Sequence, residues 1–294
     1  MGRNRPRPRR ALPALLAVAT VAAVALVAPA GPAGAATPGR YVALGDSYTA
    51  GPLIPNQSLA PLGCLRSDQD YPAEVQRALG FTQFADVSCS GADTGDMTQP
   101  QGVTPGPNPP QFDALTADTT VVTLGIGGND IGFSSIIESC VTLNPFATPC
   151  RSRYVVNGVD ELAGRIQATA PKVAGVIQGI HQRSPAARVF VVGYPSILPD
   201  TGFGCWPSLP IGWNDVAYLR STEKALNAML ATQAAANGAT YVDTYGPSIG
   251  RDACRSASTR WVEPLIPANP AAPVHPNARG MDGIGAVVRA AITG

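Results

Sequence analysis

The sequence RYVALGDSYTAG, residues 40–51, joins an apolar run to a turn that contains glycine. The run at residues 40–45 is almost continuously apolar, which is typical of a strand that is covered on both faces. Comparable short runs recur along the chain. We predict strands at residues 40–45, 84–89, 119–125, 187–195 and 239–244.

Segments with apolar residues at three- and four-residue spacing alternate with these strands and predict helices. The predicted helices span residues 71–80, 156–183, 214–238 and 276–292. We expect Pro171 to kink or interrupt the second helix, and Pro276 to lie in the first turn of the last. The alternation predicts an α/β fold with a parallel, doubly wound sheet, whose site lies beyond the carboxyl ends of the strands.

Three loops are rich in proline, glycine and large apolar residues, and they are too long for ordinary turns. They lie at residues 52–63, 142–150 and 195–213. Loops of this length and composition predict a shaped apolar groove.

A charged segment, an apolar run and a cleavage site follow one another at the N-terminus. Five arginines precede the apolar residues 11–30, and Ala33-Gly34-Ala35 matches an A-x-A cleavage site. We therefore predict a signal peptide at residues 1–35, a single domain at residues 36–294 and a secreted, extracellular protein. An uncleaved signal anchor is the alternative, because the apolar run approaches the length that spans a bilayer.

The charge balance excludes several classes of partner. The full chain has 21 basic and 20 acidic residues, and the loss of five arginines with the signal peptide leaves a net charge of about −4. No basic patch is visible, so we expect neither nucleic acid nor an anionic membrane surface as a partner. We expect the mature chain to be a monomer without a membrane anchor.

Six cysteines in an exported chain predict three disulfides. We favour the pairing of neighbours, because it joins successive loops without crossing the sheet. The predicted pairs are Cys64–Cys89, Cys140–Cys150 and Cys205–Cys254. No C-x-x-C pair occurs, and two histidines are too few for most zinc clusters, so we expect no metal.

Three of the predicted strands end in residues that suit serine chemistry. Ser47 follows the first strand, Gly91 the second and Asn129 the third, which puts all three at one edge of a parallel sheet. Each has an ordinary explanation when taken alone, as a turn or a helix cap. Together they offer a nucleophile and three oxyanion donors, namely the Ser47 N–H, the Gly91 N–H and the Asn129 side chain.

A base must also reach Ser47, and the chain has only two histidines. His181 ends a helix at the amino end of a strand, which is the wrong edge of the sheet. His275 lies in NPAAPVHPNARG, residues 269–280, and can fold over the carboxyl edge from the loop before the last helix. We therefore predict His275 as the base.

GDSYTAG, the glycine of CSGAD, GGND and VHPN occur in this order, and with them the chain resembles the GDSL/SGNH hydrolase superfamily. The export signal and six cysteines are similar to its secreted actinobacterial lipases and esterases. The resemblance implies a flavodoxin-like three-layer α/β/α fold with a five-stranded parallel sheet. It also implies serine hydrolysis of carboxylic esters, through Ser47, Gly91, Asn129 and His275 in the roles given above. We expect no cofactor.

One position departs from the family pattern. Most members have an aspartate three residues before the histidine, where this chain has Ala272. Glu263 and Asp282 are the nearest carboxylates. Alternatively, a backbone carbonyl at Ala272, our first choice, or at Pro273 accepts the Nδ1–H of the histidine. Some secreted members are similar in using such a Ser–His dyad, and the carbonyl selects the tautomer whose Nε2 can take the serine proton.

Alternative functions remain open on the same residues. The apolar loops favour a fatty-acyl ester, and therefore a lipase or esterase, but a phospholipase or an acyltransferase would use the same groups. A secreted lipid-binding protein without catalysis is the alternative from another class, because a fold does not guarantee chemistry. We expect a small-molecule or lipid ester as the partner of the site.

Overall fold

A five-stranded parallel sheet forms the centre of the computed structural model, which describes residues 1–2 and 39–294. The predicted signal peptide lies outside the described residues from residue 3 onward. The sheet contains β1 (Arg40–Gly45), β2 (Gln83–Asp86), β3 (Thr119–Gly125), β6 (Arg188–Val192) and β7 (Thr240–Val242), while β4 (Val155–Val156) and β5 (Val159–Asp160) form a separate antiparallel hairpin.

The strand order is β2-β1-β3-β6-β7, and every neighbouring pair is parallel. This is the flavodoxin-like order of a doubly wound sheet, in which the direction of winding reverses between β1 and β3. Ligands bind beyond the carboxyl ends of the strands at such a reversal. Gly45 and Gly125 mark the two carboxyl ends at this point.

Helices cover both faces of the sheet. They are α1 (Ser47–Ala50), α2 (Tyr71–Leu79), α3 (Phe133–Cys140), α4 (Pro149–Tyr154), α5 (Glu161–Arg183), α6 (Trp213–Ala236), α7 (Tyr245–Ser248) and α8 (Ala278–Thr293). No helix within residues 39–294 is both long and apolar enough to cross a membrane.

Side chains alternate between the two faces of β1, so the sheet has one hydrophobic core on each side. Val42 and Leu44 pack in the core that includes α5 and α6. Tyr41 and Ala43 pack in the core that includes α2 and α8. The predicted three-layer α/β/α fold is therefore confirmed.

The prediction for Pro276 was wrong, and Pro171 does not interrupt its helix. Pro171 lies inside an uninterrupted α5, where it is exposed to solvent, so water can bind the carbonyl that loses its helical partner. The buried side of the same helix holds Leu162, Ile166 and Ile177 against the sheet, which offsets the missing bond. Pro276 precedes α8 instead of starting it, because the Asn277 side chain caps the helix by accepting the Gly280 N–H.

Three disulfides join the loops around the sheet, in the predicted pairing of neighbours. They are Cys64–Cys89, Cys140–Cys150 and Cys205–Cys254. The first pair holds the segment after β2, where Ser90 N–H also donates to the Cys64 carbonyl at 3.0 Å.

Candidate active site

Ser47 lies directly beyond the carboxyl end of β1. The strand ends at Gly45, whose N–H and carbonyl both bond to the Gln111 side chain, at 2.8 and 2.9 Å. Asp46 then caps α1, of which Ser47 is the first residue. The Ser47 Oγ lies 2.8 Å from His275 Nε2, so the structure brings the predicted nucleophile and base into hydrogen-bond contact.

The His275 ring is oriented by a backbone carbonyl of its own loop. Its Nδ1 lies 2.7 Å from the Pro273 oxygen, whereas the Ala272 carbonyl, our first choice, accepts the backbone N–H of His275 at 3.2 Å. A carbonyl can only accept, so Nδ1 carries the hydrogen and Nε2 is free to accept the Ser47 proton. Burial lowers the pKa of His275, while the Pro273 hydrogen bond raises it.

The conformation of Val274 explains why Pro273 and not Ala272 faces the ring. Val274 has φ 60°, in the left-handed region that a β-branched residue rarely adopts. Its N–H donates to the Glu263 carbonyl at 3.1 Å, and its carbonyl accepts the Tyr48 hydroxyl at 2.6 Å. These bonds hold the strained turn that directs the Pro273 oxygen at Nδ1.

Neither neighbouring carboxylate takes the place of the missing aspartate. The buried Glu263 carboxylate accepts hydrogen bonds from Arg260 (2.7 Å) and Asn277 (2.6 Å). Burial raises its pKa, but the bonds from Arg260, Asn269 and Asn277 outweigh this and lower it to about 2. Asp282 is exposed on α8. Glu263 therefore stabilises the loop that carries the histidine, through that loop's backbone.

The two segments that supply the predicted oxyanion donors are joined to each other. The Asn129 side-chain amide donates to the Ala92 carbonyl at 2.8 Å, next to Gly91. Further along the two segments, Asp130 accepts the Thr94 hydroxyl at 2.6 Å and the Thr94 N–H at 3.0 Å. One amide hydrogen of Asn129 thus fixes the position of the side chain, which leaves the second hydrogen for its predicted role as an oxyanion donor.

A buried chain of hydrogen bonds connects the serine turn to the Asn129 loop. The Tyr194 hydroxyl donates to Asp46 Oδ2 at 2.6 Å and accepts the Gly128 N–H at 2.8 Å. The other Asp46 oxygen accepts the Tyr48 N–H at 2.9 Å. Burial raises the pKa of Asp46 to about 7, although the Tyr194 bond opposes the rise.

Sequence reasoning missed Tyr194. The available signal was position: Tyr194 follows β6 at the carboxyl edge of the sheet, as Ser47 follows β1 and Asn129 follows β3. Tyr194 and Asp46 are 148 residues apart, so only the strand order could have shown that they meet.

An apolar cavity of about 60 Å³ opens beside these groups. It lies between α3, α6 and the segment 195–213, and its wall includes Tyr194, Leu209 and Ile211. Phe133 also lines it, and the Phe133 ring lies 6.5 Å from the His275 ring. The cavity therefore lies where it could hold the apolar part of a molecule whose reactive carbon is next to Ser47.

Two other sequence predictions concern residues away from Ser47. His181 lies in the last turn of α5, at the opposite edge of the sheet from Ser47. In the part of the chain that the structure describes, no group of three or more His, Cys, Asp or Glu side chains is arranged to hold a metal ion.

Comparison with known proteins gives matches over most of the chain. Residues 43–282 match the GDSL-like Lipase/Acylhydrolase family. The chain is 41% identical to Lipase 2 of Streptomyces coelicolor over 82% of this chain and 81% of that protein.

Two solved structures share the fold. An extracellular lipase from Streptomyces rimosus has a TM-score of 0.72 at 28% identity, covering 86% of this chain and 99% of that one. Phospholipase A1 from Streptomyces albidoflavus has a TM-score of 0.72 at 26% identity, covering 87% and 99%.

Proposed function

Because the chain belongs to the GDSL-like lipase/acylhydrolase family, we propose that it is a lipase or esterase that hydrolyses carboxylic esters of fatty acids through Ser47 and His275. The observation that carries this proposal is the pair of contacts on the histidine ring, 2.8 Å from Nε2 to Ser47 and 2.7 Å from Nδ1 to Pro273. A serine hydroxyl becomes a nucleophile when a correctly oriented base can take its proton.

In the first half of the reaction, Ser47 Oγ attacks the acyl carbonyl carbon and its proton passes to His275 Nε2. The carbonyl oxygen becomes an oxyanion. The N–H groups of Ser47 and Gly91 and the side-chain amide of Asn129 donate to it. The ester C–O bond then breaks, and the alcohol leaves with the proton from Nε2, so that the acyl group is esterified to Ser47.

In the second half, a water molecule attacks the acyl-enzyme and gives one proton to His275 Nε2. The tetrahedral anion occupies the same donors, and its collapse releases the fatty acid while Ser47 recovers its proton. The Pro273 carbonyl keeps the same tautomer in both halves, but it supplies a dipole and not a full negative charge to the imidazolium.

The apolar cavity supports an acyl chain as the recognised part of the substrate, because its wall is mostly apolar and includes Phe133, whose ring lies 6.5 Å from the His275 ring. A phospholipid is the second candidate substrate, since the solved phospholipase A1 and the solved lipase are equally similar to this chain in structure. Fatty-acid release from tributyrin and from phosphatidylcholine, measured on one preparation, separates the two.

A p-nitrophenyl ester assay on residues 36–294 tests the proposal. We expect hydrolysis that falls at least about 10⁴-fold in Ser47→Ala. Absence of turnover in the unsubstituted protein, together with binding of a lipid, would instead support a non-catalytic lipid-binding protein.

We also propose that the protein is secreted as residues 36–294 and acts as a monomer. Three disulfides suit an oxidising compartment, and the extracellular lipase from Streptomyces rimosus shares the fold. N-terminal sequencing of the protein from culture medium should begin at Ala36. Size-exclusion chromatography with light scattering should give the mass of one chain.

A further inference from the structure

Three strand ends meet through the hydroxyl of Tyr194. Asp46 follows β1, Gly128 follows β3 and Tyr194 follows β6. The Gly128 N–H donates to the Tyr194 oxygen at 2.8 Å, and the Tyr194 hydroxyl donates to Asp46 at 2.6 Å. All of these groups are buried, and each bond in the chain has a defined direction.

Each end of this chain adjoins a group of the proposed mechanism. Asp46 precedes the nucleophile Ser47, and its other oxygen fixes the first turn of α1. Gly128 precedes Asn129, the side-chain oxyanion donor. A displacement of either segment would change the distance between the attacking oxygen and the donors, and such distances govern the rate steeply.

We propose that Tyr194 is a positioning residue that joins the nucleophile turn to the oxyanion loop, and that the junction is at full strength only while Asp46 is ionised. This inference rests on the proposed function of Ser47. A tyrosine hydroxyl has one hydrogen, and an ionised carboxylate can only accept it. The bond is then charge-assisted and roughly twice as strong as the neutral bond to a protonated acid.

The charge of Asp46 is set by the groups that face it. They are the Tyr194 hydroxyl after β6, the Tyr48 N–H at the start of α1 and the Asp130 carboxylate after β3. Burial raises the pKa of Asp46 most, the two hydrogen bonds lower it, and the negative charge of Asp130 raises it further, to a result of about 7. The junction therefore weakens as pH falls through neutrality.

The experiment compares kcat and KM across pH for a short, soluble ester in the full mature enzyme. Tyr194→Phe removes the hydroxyl and keeps the ring that packs against Tyr48 at 5.2 Å. We expect kcat to fall about tenfold or more with KM within about threefold, since positioning acts on the transition state. We also expect the acid limb of the pH profile, where kcat falls at low pH, to move to higher pH. Loss of the hydroxyl disfavours the ionised form of Asp46 and so raises its pKa.

The decisive comparison is to make Tyr194→Phe in a protein that already carries Asp46→Asn. Asp46→Asn removes the titrating group, so the remaining acid limb belongs to His275 and lies at lower pH. In that background, Tyr194→Phe should no longer move the limb. Tyr245→Phe is the matched control, because it removes a tyrosine–aspartate bond of 3.0 Å to Asp200, outside the proposed machinery. It should leave the acid limb at the pH of the wild type and kcat within about twofold of the wild-type value.

A structural role alone would lower stability or kcat without moving the acid limb. An unmoved limb in Tyr194→Phe, or an equal shift in the Asp46→Asn background, would overturn the proposal. A ¹³C-carboxyl titration of Asp46, identified by its absence in Asp46→Asn, needs no turnover and should show the same upward shift in Tyr194→Phe. If the protein hydrolyses no ester but Asp46 still shows the upward pKa shift in Tyr194→Phe, the proposed function is refuted and the Asp46–Tyr194 coupling is not.

Discussion

At the scale of single residues, the distinctive feature is that a backbone carbonyl orients His275, the proposed base, where the family resemblance predicts a carboxylate. The position three residues before His275 is Ala272. The Pro273 oxygen lies 2.7 Å from Nδ1 and selects the productive tautomer. Burial lowers the histidine pKa, which keeps the ring neutral and able to accept a proton at neutral pH.

The dyad predicts that no acidic side chain acts directly on the His275 ring during turnover. Asp282→Ala should leave kcat within about twofold, because the side chain is exposed on α8. His275→Ala should lower kcat by about 10²–10⁴-fold or more, as expected for loss of a general base. Steady-state hydrolysis of p-nitrophenyl butyrate measures both. A loss in Asp282→Ala as large as in His275→Ala would mean that a conventional triad exists.

The sequence was sufficient for the residues that directly follow strands and insufficient for those that depend on a loop. Ser47, Gly91 and Asn129 follow β1, β2 and β3, so the strand pattern alone places them at one edge. The choice between Ala272 and Pro273 needed the left-handed backbone of Val274. No propensity predicts that conformation for valine, since distant bonds from Tyr48 and Glu263 impose it.

At the scale of structural elements, the loop between α7 and α8 depends on one buried anion. Glu263 accepts hydrogen bonds from Arg260, Asn277, the Asn269 side chain and the backbone N–H groups of Ala268 and Asn269. Its own N–H donates to the His275 carbonyl at 2.9 Å. The carboxylate therefore holds both ends of the segment that carries the base.

Glu263→Ala should destabilise the enzyme through this loop. It leaves Arg260 buried without its partner, and breaking a buried pair costs about 3–5 kcal/mol in the free energy of unfolding. Since the folded pKa is lowered from 4.5 to about 2, Glu263 stabilises fully above 4.5 and loses this effect as pH falls toward about 2. Urea unfolding between pH 6 and pH 2.5 measures the difference.

The variant should therefore lose less stability than the wild type over the acid part of that range. Asp282→Ala, which removes an exposed carboxylate on the next helix, should unfold like the wild type at every pH. Identical pH dependence in Glu263→Ala and the wild type would contradict the role given to the Glu263 charge.

The elements around the cavity should set the acyl-chain preference. Ile211 is buried in its wall, and Ile211→Ala removes three carbon atoms from it. We expect the optimum of a p-nitrophenyl ester series to move to longer chains. Ile177→Ala, the same truncation on α5 away from the cavity, should cost similar stability, about 2–5 kcal/mol, without moving the optimum. Equal shifts of the optimum in both variants would show that the cavity does not set the acyl-chain preference.

Strand and helix patterns were sufficient for most of the architecture, since β1 and β3 have the predicted bounds. The sequence predicts the hairpin β4–β5 as the start of α5, because the hairpin residues continue the helical spacing. In the structure, Asp160 caps α5, so the helix begins only after the hairpin. The short helices α1, α3, α4 and α7 were missed for a different reason. Elements of four to eight residues show too little periodicity and depend on tertiary contacts.

At the scale of the whole molecule, disulfides join the loops that surround the carboxyl edge of the sheet to one another. Cys64–Cys89 holds the Gly91 segment, and Cys205–Cys254 joins the cavity-lining segment 195–213 to the loop after α7. The sheet positions the strand ends, but its carboxyl edge consists mainly of long loops. Covalent links therefore limit the freedom of the elements that the core does not hold.

The three disulfides should contribute unequally to stability. Their sequence separations are 49 for Cys205–Cys254, 25 for Cys64–Cys89 and 10 for Cys140–Cys150. Restriction of the unfolded chain rises slowly with separation, giving about 4.1, 3.5 and 2.7 kcal/mol in that order. Cys→Ser replacement of both cysteines in each pair, followed by guanidinium unfolding, should reproduce this ranking.

Loss of Cys64–Cys89 should differ from loss of the other two pairs by also lowering kcat, because this pair alone holds the segment of a proposed oxyanion donor. A variant of this pair that loses stability but keeps full kcat would show that the hydrogen bonds Asn129 to Ala92 and Thr94 to Asp130 suffice to position Gly91.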